Sequence, residues 1–78
     1  MAKIFNQHAY ADDLHLETSY IKPHRWEWVV LLKGRQRIAY GASETLEGAK
    51  QAIIKAAGLD ASKVDWEKIG PAVENLPD

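Results

Sequence analysis

The stretch Trp26-Glu27-Trp28-Val29-Val30-Leu31-Leu32 decides the fold of this chain. It is rich in aromatic and β-branched residues and, apart from Glu27, apolar at both parities. Such a run reads as a central strand, paired on both sides. Working toward the N-terminus, Lys22-Pro23-His24 interrupts, and proline suits a connection because it lacks a donor and holds its predecessor extended. Before it, Leu14, Leu16, Thr18 and Tyr20 alternate with His15, Glu17 and Ser19, the period of a half-buried strand. Residues 1–13 show no sustained period and read as an arm or a short edge strand around Ile4 and Phe5. Toward the C-terminus, Lys33-Gly34 is a turn, and Gln36 to Gly41 forms a further strand with Ile38 and Tyr40.

Two turns are open for that hairpin. A three-residue loop of Leu32-Lys33-Gly34 puts Trp26, Trp28 and Val30 on one face with Ile38 and Tyr40, leaving Val29 and Leu31 beside Arg35 and Arg37. A two-residue Lys33-Gly34 turn shifts the register by one. It makes Val29, Leu31, Ile38 and Tyr40 the core and exposes Trp26 and Trp28 next to the arginines. That second turn needs positive φ at Lys33, so turn chemistry favours the longer loop and tryptophans on the core face.

After Gly41-Ala42-Ser43 the period changes to that of a helix. Ser43 is the expected N-cap, Glu44 and Glu47 suit the positive end of the helix dipole, and Leu46, Ala49, Ile53, Ala56 and Ala57 make the apolar stripe. Gly58 is the expected left-handed stop. Residues 61–69 read as a short helix, which Gly70-Pro71 would break or kink, or as a fourth strand. The expected fold is therefore α+β: a three-stranded antiparallel sheet followed by an amphipathic helix, with a short C-terminal helix or fourth strand. Residues 14–70 make the single domain, 1–13 the arm or edge strand and 71–78 a tail.

The 78 residues contain no cysteine, which excludes disulfide staples and thiolate metal sites. The N-terminus has no long apolar run, so the expectation is a cytoplasmic domain without membrane contact. The formal charge of −1 hides a segregation. Residues 22–37 hold Lys22, Arg25, Lys33, Arg35 and Arg37 against Glu27, net +4, between flanks of −2 and −3. Such a patch meets phosphates or an acidic protein surface. Lys22, Arg25, Val29, Leu31, Lys33, Arg35 and Arg37 are accordingly the candidate partner-binding residues. Asp13, His15 and Glu17 would point the same way along a strand, but without evident partner ligands they read as an exposed polar edge. His8 and His24 fall in expected loops. No nucleophile elbow, phosphate-binding glycine loop or histidine–acid helix motif occurs, so the expectation is a non-enzymatic protein with no cofactor and no metal.

Residues Gly41-Ala42-Ser43 through Ala56-Ala57, with Ser43, Ala49-Lys50 and Ala56-Ala57 as shared pieces, resemble the last strand and helix of a double-stranded-RNA-binding domain. Glu44 and Glu47 stand where that family carries phosphate-contacting lysines. Glu44-Thr45-Leu46-Glu47-Gly48-Ala49 after three strands is similar to the βββα unit of HicB-type antitoxins. A cysteine-free βββα domain of this size also resembles small accessory proteins of bacteriophages and mobile elements, anti-CRISPR inhibitors among them. That likeness implies a protein that occupies a surface, here an acidic one, on a host protein; the expected state is a monomer or homodimer. A nucleic-acid binder using the basic hairpin and a small structural or assembly subunit are the alternatives.

Overall fold

A computed structural model describes residues 4–73 of the chain, with side-chain surroundings for residues 4–70. Four strands, β1 (Ile4–Ala11), β2 (Leu14–Lys22), β3 (Arg25–Leu32) and β4 (Gln36–Ser43), run as a meander. Helix α1 (Leu46–Ala57) and a single 3₁₀ turn (Ala61–Lys63) follow, and the last strand, β5 (Glu67–Val73), closes the sheet. All pairings are antiparallel, and the five strands lie in the order β4-β3-β2-β1-β5. The α+β class is as expected, but the sheet has five strands, not three. The supposed N-terminal arm is β1, an interior strand between β2 and β5. Its weak period has a physical cause: Gln7 and His8 hold positions in the ladder that an apolar residue would ordinarily mark. Of the two readings open for residues 61–69, the strand is present. It runs on through Pro71 to Val73 into the stretch expected to be a tail, and residues 74–78 lie outside those described.

α1 covers one face of the sheet. That face is built on a rung of directly paired residues, Ala9, Leu16, Val30 and Ala39, that crosses β1 to β4. Leu16, Val30 and, from the helix, Ile53 are fully buried at its centre, with Ala9 and Val64 closing the ends. Small residues at the rung's outer positions let the helix approach while the middle is filled. Among the described residues Thr18 is the one buried polar side chain, and its hydroxyl both donates to the Gln7 carbonyl and accepts from the Gln7 N–H, each at 3.2 Å. Such reciprocal bonding lets a polar group sit in the core without an unmet partner.

Trp26 and Trp28 lie on this covered face, half-buried, as the tryptophan reading expected. Trp28 packs against the core, and Trp26 meets Tyr20 edge to face at 5.4 Å. The hairpin takes the local Lys33-Gly34 turn that turn chemistry disfavoured, but the register of neither reading. Lys33 and Gly34 both take positive φ, 54° and 71°, and the Arg35 N–H donates to the Leu32 carbonyl at 3.1 Å. The next pair is Leu32↔Gln36, and one more residue is absorbed further on, where the register shifts between Val30 and Leu31. Ile38 is that extra residue, a β-bulge. Lys33 accepts the costly conformation because its own N–H continues the ladder to β2, donating to the Asp13 carbonyl at 2.6 Å. The result overturns the face assignment of β4. Ala39 and Gly41 face the helix beside the tryptophans, whereas Tyr40 pairs with Val29 on the other side and Ile38 is exposed.

The N-cap of α1 is Thr45, not Ser43, which still belongs to β4; the Thr45 hydroxyl accepts from the Gly48 N–H at 2.9 Å. At the other end Gly58 is left-handed as expected, and the Leu59 N–H bonds back to the Ile54 carbonyl at 3.0 Å, the Schellman arrangement. Among the described residues no helix is long and apolar enough to cross a membrane.

Candidate functional site

Among the described residues no helix lies over the second face of the sheet. Two rungs make up its middle. One runs Glu67, His8, Glu17, Val29, Tyr40 across all five strands; the other runs Tyr10, His15, Leu31, Arg37 across four. Chemically the face has two halves. Over β3 and β4 it is apolar and aromatic, with Arg37 and the Arg25–Glu27 ion pair; over β1, β2 and β5 it holds imidazoles, carboxylates and Tyr10.

The β3–β4 half owes its character to the bulge. In a regular strand residues 37 and 40 point to opposite faces, since side chains alternate with period two. With Ile38 bulged, Arg37 and Tyr40 stand on the same face, and the Arg37 guanidinium carbon lies 4.5 Å from the centre of the Tyr40 ring. A cation so placed is attracted by the ring's negative face. Tyr40 is 68 % exposed and Ile38 50 %, beside half-buried Val29 and Leu31. A shallow cleft of about 470 Å³ opens here, walled by Ser19, Glu27, Val29, Arg37, Tyr40 and Ala42 among others.

The seven residues expected to bind a partner, five of them cationic, do not form one patch. Lys22 and Arg25 flank the β2–β3 turn, while Lys33 and Arg35 lie at the opposite end of β3, about eight residues of extended strand, on the order of 26 Å, away; Arg25 and Arg37 both reach the cleft beside Glu27. Each end is also met by acid. Lys22, His24 and Arg25 share a depression with Glu44, and Lys33 shares one with Asp12 and Asp13. Arg25 is further paired with Glu27 at 3.1 Å. Val29, Leu31 and Arg37 are the members of the expected set that the fold brings side by side. Tyr40 belongs with them and was missed, because simple alternation assigned it to the core. The signal that finds it is the bulge, which nothing in the local sequence announces.

The other half holds a tight cluster. His8 is not in a loop but in β1, and its Nδ1 lies 3.3 Å from Nε2 of His15 on β2. Glu67 approaches His8 Nε2 at 3.7 Å, and Glu17 approaches His15 Nε2 at 3.5 Å. Tyr10 stacks on His15, centroids 4.5 Å apart and planes 6° from parallel, and meets His8 edge on. Asp13 sits in the turn, so the expected Asp13–His15–Glu17 row loses its first member. Among the described residues no group of three or more His, Cys, Asp or Glu side chains converges as a metal-ligand set.

On the helix side, Trp66 is half-buried against the core margin with Lys50 Nζ 5.4 Å above its ring. No protein-family model, curated protein or solved structure matches this chain.

Proposed function

We propose that the protein is a non-enzymatic binding module that docks a protein partner on the uncovered face of its sheet, centred on Val29, Leu31, Arg37 and Tyr40. The observation that carries this reading is the bulge-built Arg37–Tyr40 unit, largely exposed beside two aliphatic side chains. Tyrosine and arginine over an apolar floor are the side chains that dominate protein interfaces, offering large contact area with little entropy to lose. Blocking a partner by occupying its surface, the role implied by the likeness to small phage and mobile-element proteins, asks for nothing more than such a face.

The charge distribution supports a protein partner over the nucleic-acid reading. A phosphate backbone asks for a continuous cationic track. Here Glu17, Glu27 and Glu67 lie on the same face as Arg37, and Arg25 is occupied by Glu27. A partner with an acidic rim around an aromatic or aliphatic knob fits better, meeting Arg37 at the rim and Val29 and Leu31 at the centre.

The test is a comparison of variants against a partner retained from cell extract. Wild-type protein on beads should hold a protein saturably, Arg37→Glu with Tyr40→Ala should lose it with circular dichroism unchanged, and Lys55→Glu on the helix should keep it. Retention by the sheet variant and loss by the helix variant would reverse the assignment. Binding to single-stranded nucleic acid that falls steeply with salt would replace it with the alternative.

A further inference from the structure

We infer that His8 and His15 form a two-nitrogen binding site for a zinc-class divalent ion, an inference beyond the docking face and independent of it. The argument begins with their spacing. His8 Nδ1 and His15 Nε2 face one another at 3.3 Å. Two imidazole nitrogens bound to zinc at roughly 2.0–2.1 Å and separated by that distance subtend about 105° at the metal, close to the tetrahedral angle zinc adopts. The two rings thus present the bite of half a zinc site before any ion arrives.

Their surroundings hold that bite in place. His15 is stacked flat against Tyr10, which fixes its plane. His8 turns its other nitrogen, Nε2, toward the Glu67 carboxylate at 3.7 Å. Ligating histidines ordinarily have a carboxylate behind the non-ligating nitrogen, and a carboxylate on that side favours the proton on Nε2 and the lone pair on Nδ1. Both rings sit on adjacent antiparallel strands, with side-chain exposures of 20 % and 16 %, so the pair is rigid yet open to solvent on one side. Without metal, one of the facing nitrogens must carry the proton that the other accepts. With the ion between them both present lone pairs, and His15 carries its proton on Nδ1.

The Glu17 and Glu67 carboxylates give the site a negative field that favours a cation. No third side chain of the described residues completes the set, so the remaining positions belong to water or to a donor from a docked molecule. That openness makes the affinity modest and exchange fast.

The experiment is a Zn(II) titration of the full, untagged chain followed by imidazole ¹⁵N–¹H NMR. The expected result is one ion per chain, with His8 Nδ1 and His15 Nε2 shifting together while the His24 ring stays still. His8→Ala and His15→Ala should each weaken binding at least about tenfold, as should Glu67→Gln, which leaves both ligating nitrogens in place. His24→Ala should change nothing. If wild-type His8 and His15 rings do not shift, or if zinc affinity survives His8→Ala, the site does not exist. The wild-type ring signals decide this even where a variant fails to fold.

Discussion

The two faces of the sheet are made from the same strands, residue by alternate residue, and could hardly differ more. The covered face runs Ala9, Leu16, Val30, Ala39 and is closed by Ile53 of the helix. The uncovered face runs Tyr10, His15, Leu31, Arg37 one step along the same strands. On the first, side chains are small or aliphatic and water is excluded. On the second, aromatic, titratable and charged side chains surround an apolar floor centred on Val29 and Leu31. The difference teaches that folding of this small domain rests on one face, leaving the other free to carry binding chemistry.

The comparison can be tested most sharply with truncations of equal intent on the two sides. Leu16→Ala should cost about 3 kcal/mol, a fall of roughly 12–24 °C in Tm, because its fully buried side chain leaves a cavity under the helix. Tyr40→Ala should cost less than about 0.5 kcal/mol, since the ring is largely exposed. Urea denaturation of both variants checks the contrast, and equal losses would break it. Gly41→Ala probes the covered face from the backbone. An added methyl there would stand 2.7 Å from Cζ2 of Trp28, so a loss of about 1–3 kcal/mol is expected. Trp28→Leu in the same chain should recover part of it in a double-mutant cycle. A gain is expected at the β3–β4 turn: Lys33→Asn relieves the left-handed φ of 54° and should add about 0.5–1 kcal/mol, read as a shift in the urea midpoint without change in slope. The smallest effect lies outside both faces. The Ser62 hydroxyl and, after it, the Ser62 N–H donate to the Asp60 carboxylate and hold its pKa below the usual value. The folded state therefore gains from this carboxylate above its ordinary titration range and loses that gain as pH falls through the lowered value. By NMR, the Asp60 midpoint should rise toward the ordinary carboxylate range in Ser62→Ala.

Much of the fold is legible in the sequence where one period dominates. The alternation of Leu14 to Tyr20 and the helical stripe closed by Gly58 each specify their element. Legibility fails where both parities of a strand are apolar. In β3, Val29 and Leu31 look as core-like as Val30, and only the helix's choice of side separates them. It fails again at Ile38, because a bulge is a tertiary compromise between a turn and a register, and one inserted residue reverses every later side chain on that strand. For the candidate site the same causes apply. Arg37, Val29 and Leu31 were visible as residue types; their union with Tyr40 depends on the bulge. The meeting of His8, His15 and Glu67 depends on β1 lying between two strands, and Glu67 reaches it from the far end of the chain.

That distance along the chain has a consequence for how the molecule assembles. Every pairing among β1 to β4 is a hairpin closed by a turn of a few residues, whereas β5 joins β1 through pairs such as Gln7↔Lys68. Short loops close early and at small entropic cost, so the four-stranded meander forms first and β5 arrives last. Until it does, the outer edge of β1 offers unpaired backbone donors and acceptors. In a crowded solution the strand that reaches them first need not come from the same molecule. The segment from Leu59 to Trp66 that carries β5 away from the helix is the hinge at which two such chains would exchange their last strands.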